Sequence, residues 1–129
     1  NELRLIRKVT GNRDLIDKIE WFEAEDAEIG IFSFGSTARA AMVAVKELRA
    51  KGIKAGLMRP VTLWPFPNHQ LHDWAAGLKA LVVAEFNLGQ MVYEVERSVH
   101  REMTIVRVTK TGGVPISPAE IRNAVEEVA

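Results

Sequence analysis

A three-layer α/β/α domain, with helices on both faces of a mostly parallel sheet of four to five strands, is the fold class that the sequence predicts. Three features predict it. Strand-sized apolar runs alternate with helix-period segments four times along the chain. The spacing between successive apolar runs suits right-handed crossovers. Glycine, proline and hydroxyl residues punctuate the junctions where strand must turn into helix.

The first 26 residues read as a lead-in segment. From Leu3 to Phe22, "LRLIRKVTGNRDLIDKIEWF" has an approximately helical period broken near Thr10, Gly11 and Asn12, which predicts a linker helix. "EAEDAE", Glu23 to Glu28, reads as a solvated acidic connection, and whether "IEWFE" adds an edge strand is left open. The domain proper then runs over residues 27–129. "IGIFSF" (Ile29 to Phe34) is the first strand of the core, turned at Gly35-Ser36-Thr37 into an alanine-rich helix closed by Gly52. "IKAGLM" (Ile53 to Met58) is the second. Three prolines in "RPVTLWPFP" forbid helix across the next stretch, and Pro67 suits the first turn of a helix reaching about Ala76. "KALVVAEF" is the third strand, followed by a helix from Leu88 to about Arg101, and "TIVRVT" (Thr104 to Thr109) is the fourth. The last helix is announced by "SPAE": Ser117 as N-cap, Pro118 at the first helical position and Glu120 three residues after the cap.

Composition narrows the function classes. Seventeen basic residues balance 17 acidic ones, so no net field draws the chain to nucleic acid or an anionic membrane. Apolar runs are strand-sized and no apolar leader opens the chain, so a soluble, cytoplasmic protein is expected. Cysteine is absent, which excludes disulfides, a thiolate nucleophile and any iron–sulfur cluster ligated by this chain. The opening on Asn1 in a basic run is what a piece of a longer polypeptide would show.

In an open α/β sheet, ligands and partners meet the crevice beyond the carboxyl ends of the strands. Gly35, Ser36, Arg59, Glu85, Asn87, Gly89 and Gln90, with Lys110 to Gly113, all fall at such ends. Two readings stand side by side: a pocket or subunit contact, or ordinary turn and capping chemistry, with an Arg59–Glu85 pair across adjacent strand ends satisfying both charges. A single glycine at Gly35 lacks the spacing of a phosphate-cradling loop. His69, His72 and Asp73 stand at helical spacing but have no further ligands nearby, and His100 sits where a cation suits a helix end. Ser33 and Ser36 lack a nucleophile-elbow sequence. Trp64, Phe66 and Trp74 read as packing or interface residues. No catalytic or metal-ligating constellation emerges from the residues.

"FSFGSTARAAMVAVKELRAKGIKAGLMRPVTLWPFP", then "LVVAEFNLGQM" and "GGVPISPAEI", resembles the C-terminal, transketolase C-terminal-like domain of the alpha subunit of 2-oxoacid:ferredoxin oxidoreductases. "GST", "RPVTLWPFP" and "E-x-N-x-G-Q" carry the likeness by their order and spacing, over about Ala27 to the end. The resemblance implies a complex that oxidatively decarboxylates a 2-oxoacid with coenzyme A, yielding acyl-CoA and carbon dioxide and reducing ferredoxin. It implies thiamine diphosphate, magnesium and iron–sulfur clusters elsewhere in the complex and none on this domain. The implied partners are another domain of the same subunit and a thiamine-binding beta subunit. This domain alone is then inactive, and its strand-end cluster serves assembly or access to the active site. Two other classes remain open: the corresponding domain of a thiamine-dependent 2-oxoacid dehydrogenase or transketolase, and a free-standing anion- or nucleotide-binding module using the Gly35-Ser36-Thr37 turn. The 2-oxoacid, the subunit composition and any contact with CoA are not legible.

Overall fold

The structure, a computed structural model, describes residues 4–6, 19–35, 37–60, 68–85, 95–99, 103–109 and 115–129. Its six strands are β1 (Arg4–Ile6), β2 (Ile19–Phe22), β3 (Ile29–Ser33), β4 (Ala55–Pro60), β5 (Ala80–Glu85) and β6 (Thr104–Thr109). The helices are α1 (Thr37–Ala50), α2 (Asn68–Ala75), α3 (described over residues 95–98) and α4 (Pro118–Val128). They form one sheet in the order β1-β2-β4-β3-β5-β6. Neighbours from β4 through β6 pair in parallel, while β2 is antiparallel to both β1 and β4.

This order fixes the layers. The step from β3 to β4 runs one way across the sheet, and the steps from β4 to β5 and from β5 to β6 run the other way. Right-handed crossovers in opposite directions put their helices on opposite faces. Accordingly α1 packs with α4 on one face over Phe22, Ile29, Ile31, Leu57, Val82 and Ala84. The other face gathers Ile19, Trp21, Phe32, Met58, Leu81 and Val83 under Leu71 of α2 and Val95 of α3. Successive residues of β3 and β5 thus alternate between two cores, which is why both strands read as continuous apolar runs. The three-layer α/β class is therefore the one observed. Among the described residues, no helix is long and apolar enough to cross a membrane.

Local chemistry accounts for the helix ends. In α1 the stripe Ala38, Ala41, Ala44, Val45 and Leu48 is fully buried, and its small residues let the helix lie close to the sheet. Beyond it Gly52 adopts φ +87°, where its N–H donates to Arg49 O (3.0 Å) and that of Ile53 to Leu48 O (3.0 Å). That is a Schellman closure, which needs a residue tolerant of the left-handed region. For α4 the expected capping box is present: Glu120 N donates to Ser117 Oγ (3.2 Å) and Ser117 N to Glu120 Oε1 (2.9 Å).

The lead-in differs from its helical expectation. Residues 4–6 and 19–22 are strands, and β2 lies inside the sheet between β1 and β4 rather than at its edge. Helices cover both faces, so Ile19 and Trp21 are buried on one side and Phe22 on the other, and the period of two is masked. The pairing that makes β2 a strand, Glu20 opposite Arg59 and Trp21 opposite Met58, is remote in sequence. Among the described residues the sheet has six strands, against four to five expected, and the additional ones come from this segment.

The acidic connection after β2 is anchored as well as solvated. Arg49 of α1 donates from Nη2 to Glu23 O (2.8 Å) and Asp26 Oδ1 (2.8 Å), and from Nε to Ala55 O (2.9 Å). Its hydrogen bond to Asp26, aided by the guanidinium charge, holds that carboxyl below its ordinary value of 3.8. A depressed folded pKa contributes stability above the unfolded value and loses it as acid protonates the group. Asp26→Asn is therefore expected to lower stability at neutral pH and to flatten its fall between about pH 5 and pH 3. Urea unfolding at pH 7 and pH 3 checks this; a variant that follows the parent at both would show the pair to be inert. Asp26 is exposed, so the effect is small.

Candidate functional site

The central strand β3 feeds α1 on one face, whereas its neighbour β5 feeds α3 on the other, so their carboxyl ends diverge. Such a divergence is the topological switch point of an open α/β sheet, and its crevice is where such folds bind. Two of the sequence-expected positions flank it. Gly35 ends the β3 side with φ +68°, a left-handed conformation open to glycine at no steric cost, and Ala38 N donates back to Gly35 O (3.1 Å) as α1 begins. Glu85 is the last residue of β5 and the partner of Thr109 on β6. The side chain of Glu85, together with Ser36, Asn87, Gly89, Gln90 and Lys110 to Gly113, lies outside the described residues.

Arg59 does not join them. The strand β3 stands between β4 and β5, so Arg59 and Glu85 do not end adjacent strands as the sequence reading expected. Instead Arg59 Nη1 donates to Glu20 Oε1 (2.9 Å), its cross-strand partner on β2. With side chains about a third and a quarter exposed, such a pair is worth at most about 1 kcal/mol. Its consequence is directional: the guanidinium is held toward β2, on the far side of β4 from the crevice.

Two side chains beside the crevice were not singled out as site residues by sequence reasoning. Ser33, 1% exposed, donates its hydroxyl to Ala84 O (3.1 Å), bridging the last register pair of β3 and β5. Phe34, next along the chain, is 40% exposed. A serine ending an otherwise apolar buried strand was the available signal for the first; nothing local marks the second.

The remaining sequence candidates disperse. His69 and Asp73 are exposed, and His72 Nδ1 lies 3.1 Å from Ser98 O of α3. Among the described residues, no three histidine, cysteine, aspartate or glutamate side chains are grouped to hold a metal. Trp74 is a packing residue: its ring meets that of Trp21 edge-on at 5.2 Å, and its Nε1–H donates to Ala24 O (3.0 Å). Trp64, Phe66 and His100 lie outside the described residues.

The fold and the switch-point crevice define a three-layer α/β domain, the class of fold in which ligands and partners meet the carboxyl edge of the sheet. The family model of the pyruvate:ferredoxin oxidoreductase core domain II matches residues 27–121, and the chain belongs to that family. It is similar to the 2-oxoglutarate synthase subunit KorA of Methanocaldococcus jannaschii, 41% identical over 122 residues that make up 95% of this chain and 32% of that subunit. Among solved structures it resembles the 2-oxoglutarate:ferredoxin oxidoreductase from Magnetococcus marinus with 2-oxoglutarate, coenzyme A and succinyl-CoA bound. The identity is 32% and the TM-score 0.75, over 84% of this chain and 19% of that one. A split-gene transketolase, at 24% identity and a TM-score of 0.69 over 81% of this chain and 39% of that chain, shares the fold. The chain thus spans about a third of the length of the curated relatives it matches.

Proposed function

We propose that this chain is the transketolase-like domain of the alpha subunit of a cytoplasmic 2-oxoacid:ferredoxin oxidoreductase, and that it serves assembly and access to the active site rather than the chemistry itself. The observation that carries this reading is the family match over residues 27–121. The unit that fills this role is the α/β body of residues 27–129, into whose sheet β2 of the lead-in segment is built. The complex converts a 2-oxoacid and CoA to acyl-CoA and carbon dioxide, and the two electrons released pass to ferredoxin.

The residues present do not fit the cofactors such chemistry uses. Cysteine is absent, so no cluster is ligated here, and the chain has no "GDG" sequence with which to hold a metal diphosphate. No step of the reaction is assigned to this chain. Thiamine diphosphate, magnesium and the clusters belong to the rest of the complex, held by the other domain of this subunit and by a thiamine-binding beta subunit. What this chain contributes is the strand-end surface around Gly35, Ser36, Glu85, Asn87, Gly89 and Gln90, with Arg59 as a flanking contact, set against those neighbours.

The test uses the full complex, purified through its beta subunit. Asn87→Ala combined with Gln90→Ala is expected to lower either the yield of assembled complex or its CoA-dependent, 2-oxoacid-driven viologen reduction by about tenfold, while the domain stays folded. A fully assembled, fully active double variant would sink the assembly role. Absence of 2-oxoacid-driven reduction in the parent complex would sink the assignment of the activity.

A further inference from the structure

The family match begins at residue 27, but the fold does not. Domain boundaries fall in exposed segments that few contacts cross. Residues 19–24 are the opposite: Ile19, Trp21, Phe22 and Ala24 are all buried, Phe22 in the core under α1 and α4 and the other three in the core under α2 and α3. The edge of β4 that faces away from β3 receives them with an antiparallel ladder, from Ile19 opposite Pro60 to Phe22 opposite Leu57. Gly56, having no Cβ, leaves the space over which the chain then crosses, with the Glu23 carbonyl oxygen 2.6 Å from where a Cβ would lie. Trp74 of α2 meets the Trp21 ring edge-on and donates to Ala24 O (3.0 Å), while Arg49 of α1 donates to Glu23 O (2.8 Å). Two successive carbonyls are thus gripped by helices on opposite faces of the sheet. Strand addition to a sheet edge divides its work in the same way, with the main-chain ladder giving affinity and the side-chain pockets giving choice of partner. By contrast Glu25, Asp26 and Glu28, which link these residues to β3, are exposed.

We infer that this edge of β4, with Gly56, Trp74 and Arg49, is a strand-accepting site whose occupant is residues 19–24 of the same chain, held by the site itself and not by the covalent link that follows. The cooperative unit then begins at β2, ahead of the family match, and β2 is a partner bound in cis. This holds whatever reaction the complex performs.

Two measurements on the whole 129-residue chain test it. Native-state hydrogen exchange on the unmodified protein reads whether β2 opens alone. Its amides are expected to exchange, after correction for sequence, within about tenfold of those of β4, as members of one cooperative unit do. Exchange faster than that would show a lead-in that opens alone and would overturn the assignment. In the second measurement a protease site inserted between Glu25 and Asp26, both exposed, is cut in the folded protein. Residues 1–25 are expected to stay with residues 26–129 through gel filtration under native conditions and to leave in urea. Trp21→Ala in the cut chain is expected to weaken that retention about a hundredfold, the scale of losing a buried aromatic side chain. Departure of the cut segment under native conditions, or retention unchanged by Trp21→Ala, would also overturn it. Should the inserted site disturb the fold before cutting, the exchange result on the unmodified chain decides alone.

Discussion

Gly56→Ala is expected to destabilise the fold by about 3 kcal/mol, the upper end of overpacking costs in a close-packed interior. A Cβ on Gly56 would lie 2.6 Å from the Glu23 carbonyl oxygen, 2.8 Å from Ala27 Cβ and 2.9 Å from Ala24 Cα. Two of these are backbone atoms, so no side-chain rotation relieves the clash. Nor is the connection free to lift away. Arg49 holds the Glu23 carbonyl from one side and Trp74 the Ala24 carbonyl from the other, and Glu23 itself sits at φ +54°. Thermal unfolding reads the result, with an expected fall in Tm of about 10 °C or more for a chain of this size. A variant within about 0.5 kcal/mol of the parent, the range of an ordinary surface substitution, would show that the connection does not cross β4 as described.

Trp74→Ala is expected to cost a similar amount, about 3 kcal/mol, toward the low end of aromatic truncations because the ring is only partly buried. Three interactions go at once. The edge-on contact with Trp21 is lost, the buried Ala24 carbonyl loses its donor, and the ring that covers Gly30 is removed. Gly30 and Gly56 are register partners on adjacent parallel strands, so their missing side chains leave one trough on the sheet, filled by Trp74 and by the connection after β2. A Cβ on Gly30 would stand 2.7 Å from Trp74 Cη2 and 2.5 Å from Leu78 Cδ1. Gly30→Ala is therefore expected to cost less in the Trp74→Ala background than in the parent, as contacting residues should couple. Urea unfolding of the two single variants and the double variant decides it; strictly additive costs would refute the trough.

The candidate site was legible in the sequence only where its signals are local. Gly35 and Glu85 lie where strand-end reasoning puts them, because a strand boundary is marked by its own turn residues. The expected adjacency of the Arg59 and Glu85 strands fails for a different reason. Chain order places β4 and β5 next to each other, but the sheet inserts β3 between them, and Glu20 from a segment read as a linker helix takes the arginine. Ser33 was considered only as a nucleophile, because its acceptor, 51 residues away, is invisible along the chain.

By itself the sequence determined the class of fold, the four parallel strands and their helices, the capping box of α4, the closure of α1 at Gly52, and the family to which the chain belongs. Each of these is written in residues near one another, where hydrophobic period, turn chemistry and motif spacing act within a few positions. Only the tertiary structure decided that β2 enters the sheet between β1 and β4, that Gly30 and Gly56 share one trough, that Arg59 answers Glu20, and that Ser33 bridges β3 to β5. Those are choices of neighbour between segments distant in the chain. They are settled by which surfaces bury together and which polar groups would otherwise be left unpaired, and no local pattern of residues encodes that competition.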